Sequence, residues 1–376
     1  VLCIFEKMFL RKPNITFLTL LSLALLVLAV SRCKPDPKGP TTGPPPYQAT
    51  PYDLEVPQGF PPAIVPPDNP MTVEGVRLGR HLFYEEALSG DNSMSCASCH
   101  MQQRAFTDGK AVSKGIDGIA GRRSAMPLFN LAFEEKFFWD GRSLTLEEQA
   151  LIPIEDPIEL NADLDTVIMR LESRALYQRL FEEAFGSAEV TADRMAKAIA
   201  QFERTLISAN SKFDKVMRLK DGTQFTPLED QGRAMYFSEV GDCFHCHGAA
   251  ETSYLMGAFG RELQFANNGL KMQYQDEGRA EVTGKPSDVG KFKVPSVRNV
   301  EFSFPYMHDG SIPNLDSLVG FYNFGGHKHP NIDPNMKAAG EGRGWTPQQR
   351  NALKAFLQTF TDYEFLQDTA YSNPFQ

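Results

Sequence analysis

Cysteine is sparse in this 376-residue chain, and its placement excludes a disulfide scaffold. Of the six cysteines, four fall into two tight pairs, and Cys3 and Cys33 lie at the far N-terminus, so none is left to cross-link the globular part. Basic runs are also absent. With 38 Lys and Arg against 47 Asp and Glu the chain carries −9 at neutral pH, and without Lys7, Arg11, Lys12 and Arg32 the body is more acidic still. That balance argues against nucleic-acid binding and leaves a surface that attracts a basic partner or simply keeps the protein soluble. Strand signals are thin while helical stripes recur, so the expected fold is mainly α. Between His100 and His245 there is no histidine at all.

What is present starts with the two cysteine pairs. Cys96-Ala97-Ser98-Cys99-His100 and Cys243-Phe244-His245-Cys246-His247 both read C-x-x-C-H, the attachment pattern of c-type haem. The two thiols of each motif add across the haem vinyl groups, and the histidine that follows, His100 or His247, ligates the iron. Structural zinc is the rival use of two C-x-x-C pairs. Zinc does not require a histidine directly after each pair, and zinc pairs lie closer together in the chain. Two covalent haem c groups are therefore the expected cofactors.

Attachment of haem c implies assembly outside the bacterial cytoplasm, and the N-terminus agrees. Arg11 and Lys12 precede an apolar run from Ile15 to Val30, the layout of an export signal. Val30-Ser31-Arg32-Cys33 is similar to a lipoprotein processing site, with Arg32 where a small residue is expected; an uncleaved anchor and ordinary cleavage are the alternatives. Residues 1–33 are thus read as a signal, lipoprotein or membrane anchor, and 34–51 as a Pro-rich tether leading to a periplasmic body. Half of the 26 prolines lie between Lys34 and Pro70.

The body shows a weak internal repeat. Gly79-Arg80-His81-Leu82-Phe83 leads into the first motif and Gly232-Arg233-Ala234-Met235-Tyr236-Phe237 into the second, each read as a short helix packing an aromatic toward the haem that follows. Two cytochrome c-like haem domains with long loops, 52–217 and 218–376, would explain it. Thr191 caps a stripe of Met195, Ala198, Ile199, Phe202 and Leu206. Thr226-Pro227-Leu228-Glu229 and Thr346-Pro347-Gln348-Gln349 read as capping boxes with proline at the first helical position. Asp163–Phe185 reads as helix, a helix ends at Met217, and 104–130 and 257–313 read as loops over cofactors.

With no histidine between His100 and His245, the first haem has no second imidazole available from its own domain; Met101 and Met126 could ligate but more simply pack. An iron with one open position binds peroxide or oxygen, whereas a six-coordinate iron mainly passes electrons. Cleaving an O–O bond needs a group that moves a proton between the two oxygens. Glu147 and Glu148 read as solvated first-turn charges, and Glu155, Asp156 and Glu159 as acids in a proline-punctuated turn able to aim a carboxylate into a pocket. Local logic leaves the choice among these open.

From about Tyr52 onward the chain resembles the bacterial di-haem cytochrome c peroxidase family, which includes the methylamine-utilisation enzyme MauG. The resemblance rests on Leu78-Gly79-Arg80 with Leu82-Phe83, Phe106-Thr107-Asp108, Pro127 with Asn130 and Phe138-Trp139-Asp140-Gly141-Arg142. It continues through Leu146–Ala150, Phe202-Glu203-Arg204-Thr205-Leu206, Lys291–Pro295, Arg298-Asn299-Val300 and Pro305–Gly310, besides the haem motifs themselves. It implies that Glu159 is the distal acid at the first haem, Gln149 its distal-pocket glutamine, and Trp139 the indole between the two haems. The family binds one calcium ion between its domains. Ser303 and Pro305 fall at two of its positions, and Ser124 stands where asparagine is expected. The histidine that closes the first haem in many members has no counterpart here. At the second haem, Tyr322 takes the distal position that is methionine in those peroxidases and tyrosine in MauG-like enzymes; Met307 and Met336 are its rivals.

The resemblance implies reduction of hydrogen peroxide with electrons from a small donor such as a cytochrome c. It also leaves room for a homodimer, for a MauG-like oxidase that modifies a partner protein, and for a non-enzymatic electron carrier. His327 and His329 read as solvated loop residues, His81 as packing near the first haem, and His308 as a partner in the second pocket.

Overall fold

Two helix crossings frame the molecule, and each is dictated by a glycine. In the computed structural model, which describes residues 47–248 and 264–376, α1 (Val73–Phe83) crosses α5 (Ala192–Thr205), and α6 (Pro227–Tyr236) crosses α8 (Pro347–Gln358). A Cβ on Gly79 would lie 1.9 Å from the Ala198 carbonyl oxygen, and one on Gly232 would lie 2.0 Å from that of Ala352. Only glycine permits such an approach. The weak repeat seen in sequence is thus a repeated helix contact.

The intervening elements are α2 (Leu146–Glu155), α3 (Leu164–Glu172), α4 (Ala175–Phe185) and α7 (Leu315–Phe324). Helix starts follow the cap residues. Thr191 accepts from the Arg194 amide at 3.2 Å, and Thr226 and Thr346 form full capping boxes with Glu229 and Gln349. The expected single helix over 163–185 breaks at Ser173 and Arg174 into α3 and α4, and the helix expected to end at Met217 is a wide-turned segment Asp214–Leu219. Pro153 lies inside α2 rather than in a turn, so the turn starts at Asp156. Residues 105–130 form turns and isolated bridges. The described part of 257–313 adds one antiparallel pair, β1 (Phe265–Ala266) with β2 (Phe292–Lys293), and short helical turns.

Each half repeats a second device behind its C-terminal crossing helix. Thr205 and Thr359 each donate a hydroxyl to the carbonyl three residues earlier, at 2.6 Å in both cases. Three residues after each of these threonines, Ser208 and Asp362 meet at 3.1 Å through side chains. Asn130 clasps the Ser208 backbone, and Asn299 accepts from the Asp362 amide at 2.8 Å. All four are almost fully buried, so this polar cluster joins the halves where unmade hydrogen bonds would be costly. The C-terminal segment returns to the first half, placing Phe365 and Leu366 in its core with Phe83, Phe106 and Phe202. Residues 48–376 pack as one unit. The expected export segment and most of the expected tether fall outside the described residues, among which no helix is long and apolar enough to cross a membrane.

The crossings yield a prediction with an informative sign. Gly→Ala in an open helix stabilises by about 1 kcal/mol, but here overpacking by about 1–3 kcal/mol should win. G79A and G232A should each lower the denaturant midpoint of the holoprotein, and a raised midpoint would show that the helices do not cross this closely.

Candidate haem sites

The first motif folds as one helical turn, Cys96–Cys99, with the Ser95 amide donating to Ser98 Oγ at 3.0 Å. His100 follows it. Its Nδ1 lies 2.7 Å from the Phe106 carbonyl oxygen, and because a carbonyl only accepts, Nδ1 carries the proton and Nε2 keeps its lone pair. A tight loop aims that carbonyl, with Ala105 and Phe106 both in left-handed conformation and Met101 bridged to Thr107. The second motif does the same by another route: His247 Nδ1 donates to the Pro295 carbonyl at 3.0 Å. Burial lowers the pKa of both rings, which keeps them neutral.

Each motif lines a cavity. The first, of about 490 Å³, is walled by Cys96, Cys99, His100, Trp139, Gln149 and Glu159 among others. The second, of about 190 Å³, is walled by Cys243, Cys246, His247, Trp139 and Tyr322 among others. Trp139 therefore stands on both walls. Its indole nitrogen donates to the Ser124 carbonyl at 2.8 Å, and its own carbonyl accepts from the Lys293 amide at 2.7 Å, which anchors the ring to both sides of the partition.

Gln149 and Pro153 face the first cavity one turn apart on α2, while Glu147 points to α5. Glu159 stands just past the Asp156 turn, half-buried, and burial raises its carboxyl pKa; Asp156 adds to the rise and Arg142 opposes it. Glu155 is exposed, and Asp156 accepts from the Ile158 amide at 2.9 Å, so it shapes the turn. Met126 lines this cavity and Met101 sits outside it, in its bridge. At the second cavity the structure brings Tyr322, Met307 and Met336 together. Asn268 hydrogen-bonds the Tyr322 side chain and also contacts Met307 Sδ at 3.3 Å; burial pushes the Tyr322 phenol up to about 12. Ser124, Ser303 and Pro305 share this cavity's wall.

Several expectations require correction. Glu147 is not a solvated charge: it forms a two-point ion pair with Arg204 at 2.8 and 3.0 Å and accepts from Asn69, because α5 covers it. His81 packs against Phe375 and the Arg77 carbonyl rather than at a haem site. His329 is no free loop group, since its Nδ1 accepts from the Asn331 amide at 3.0 Å. Phe83 packs against Phe106, one layer behind the first cavity, whereas Tyr236 does line the second. Sequence reasoning passed over Glu203 and Lys293 as cavity residues. Lys293 lines both cavities and pairs with Glu134. The one signal in the sequence was their place inside family-like motifs.

This combination, two cysteine pairs each followed by a carbonyl-pinned histidine on the wall of its own cavity, defines a di-haem c-type protein. The chain belongs to the di-haem cytochrome c peroxidase family, whose pattern it matches over residues 73–222. It is 31% identical to cytochrome-c peroxidase IdrP1 of Denitromonas iodatirespirans over 373 residues, covering 91% of this chain and 92% of the relative. It is 35% identical to methylamine utilization protein MauG of Methylorubrum extorquens over 298 residues, covering 78% and 80%. A solved MauG-like protein associated with microbial copper homeostasis superposes with a TM-score of 0.77 at 34% identity, over 86% of this chain and all of that one. The family implies two haem c groups, and the residues present fit them: the four cysteines are free thiols, and each histidine keeps Nε2 available.

The Glu147 pair can be tested apart from the cofactors. Removing Glu147 leaves Arg204, only 3% exposed, as an uncompensated charge, so E147A should cost about 3 kcal/mol in denaturant unfolding. The pair's hydrogen bonds outweigh burial and hold the Glu147 carboxyl below its ordinary value. Its stabilisation is therefore complete above the ordinary carboxylate range and fades as pH falls through the lowered value. In E147A that acid limb should shrink; an unchanged limb would place the lost stability elsewhere.

Proposed function

We propose that the chain reduces hydrogen peroxide at the first cavity with electrons from a small external donor, such as a cytochrome c, delivered through the second. The observation that carries this reading is the shared wall of His100, Glu159 and Gln149, with His100 the one histidine lining that cavity among the described residues. Cys96, Cys99 and His100 would hold the first haem, and Cys243, Cys246 and His247 the second. When bound, the haems supply iron for peroxide to bind and for electrons to pass. Glu159, whose burial raises its affinity for a proton, takes one from the nearer peroxide oxygen and returns it to the farther, so that the latter leaves as water. Gln149 orients the peroxide by hydrogen bonding. Trp139, on both walls, is the route between the sites. We further read 52–217 and 218–376 as two cytochrome c-like domains, Ser124, Ser303 and Pro305 as a calcium site, and residues 1–51 as an export segment and tether that hold the body on the periplasmic side.

A second reading is a MauG-like oxidase that uses peroxide to modify a side chain on a partner protein. Tyr322 on the second cavity's wall favours it, because a phenolate ligand stabilises ferric iron and lowers the potential. Steady-state assays with peroxide and reduced cytochrome c separate the two. The peroxidase reading expects sustained turnover, while its rival expects poor donor oxidation and a long-lived oxidised state.

E159Q should lower turnover by about 10²–10⁴-fold with haem content unchanged, and unaltered rates would remove Glu159 from the reaction. Since the base must be ionised, wild-type turnover should fall as pH drops through a value above the ordinary 4.5 of a glutamate, a limb that E159Q lacks. Y322F should raise the second haem's potential if the phenol ligates; an unmoved potential would assign ligation to Met307 or Met336.

A further inference from the structure

The two halves can be compared position by position along their C-terminal crossing helices. Thr205 and Thr359 make the same hydroxyl contact, and each is followed by the residue whose carbonyl receives Asn130 or Asn299. In that register Ile199 matches Leu353, and both line their cavities. Glu203 then matches Leu357, again on both cavity walls. An acid thus occupies the first site where the second accepts a leucine.

Glu203 is 4% exposed, and its Oε2 has no hydrogen-bond partner in the protein. A buried carboxyl oxygen without a partner is destabilising, and a leucine in its place would be the cheaper residue. Helix packing therefore gives no reason for an acid here. Among the groups around it, Arg204 on the same helix is engaged by Glu147 of α2, so its charge is not free to neutralise Glu203. Cys96 interacts with it electrostatically, and Glu159, Arg142, Lys293 and Glu134 share the cavity wall. Burial is the main influence on its carboxyl, opposed by Arg204 and reinforced by Glu147, and raises the pKa to about 8.

We propose that Glu203 couples a proton to the oxidation state of the cofactor in the first cavity, holding the proton while that cofactor is reduced and releasing it when an electron is withdrawn. The charges balance: loss of one electron adds one positive charge at the site, and loss of the Glu203 proton to solvent removes one. Re-reduction returns one electron, from the external donor by way of the second site, and one proton from solvent. The second site, with Leu357, exchanges electrons without this proton. Glu203 acts here by tuning and not by touching peroxide, which separates it from Glu159. The inference rests on the first cavity being a haem site, but its test needs no peroxide, so it can fail while the peroxidase reading stands.

The test is a redox titration of the purified two-haem protein over a series of pH values, following each haem by its own spectrum. In the wild type the first haem's potential should fall as pH is raised toward about 8 and level off above it. E203Q and E203L should lose that slope, while the second haem's behaviour stays as in the wild type. Retention of the slope in E203Q, or its absence in the wild type, overturns the proposal. A second readout does not depend on the variants at position 203 folding: redox-difference infrared spectra of E159Q, in which Glu159 cannot contribute. A protonated-carboxyl band that vanishes on oxidation of the first haem supports the role of Glu203, and its absence overturns it. E203L, carrying the residue found in the other half, should melt at or above the wild-type temperature.

Discussion

The close crossing of a glycine-bearing helix over a second helix, made twice, is the contact on which the rest of the structure depends. With Gly79 under Ala198 and Gly232 under Ala352, the helix axes approach closely enough for the C-terminal helix of each pair to present its face to a cavity. Ile199 and Glu203 in the first half, and Leu353 and Leu357 in the second, stand on the cavity walls from these helices. The motif turns come after the first helix of each pair, separated from it by residues 84–95 in one half and 237–242 in the other.

Around this repeat the two halves differ where their chemistry would differ. The first cavity gathers Glu159, Gln149 and Glu203. The second is lined by Tyr322, Met307 and Met336, and Tyr236 fills the place that Phe83 takes in the first half. Polar groups at a buried site must find partners, be neutral, or be put to use. The first half concentrates carboxyls with raised pKa at its cavity, as a site that handles protons requires. Both histidines, by contrast, are fixed in one tautomer by backbone carbonyls, so that their ligating nitrogens are set by the fold and not by titration.

The partition between the sites is equally a product of packing. Trp139 is tied to Ser124 by its indole and to Lys293 by its carbonyl, and the Ser124 amide in turn donates to the His308 carbonyl at 2.7 Å. His308 lies flat on Phe292, ring centroids 3.6 Å apart, and burial pushes its pKa down to about 4. These contacts stitch residues 124–139 to residues 292–308 across the boundary between the halves.

Much of this was legible in the chain itself. Covalent attachment chemistry is local, so Cys96–His100 and Cys243–His247 announce their cofactor without any fold. Helix caps and proline at the first helical position are equally local, and Thr191, Thr226 and Thr346 start helices as read. The repeat around Gly79 and Gly232 was visible, though its meaning as a helix contact was not. What only the tertiary structure decided depends on segments distant in sequence. Glu147 reads as a surface charge until α5 brings Arg204 over it, and Glu203 reads as one acid on a helix until the cavity opens beside it. Local sequence specifies which residue can donate, ligate or cap; whether a carboxylate meets water, a guanidinium or an empty wall is set by what folds against it, and that is information the neighbouring residues do not carry.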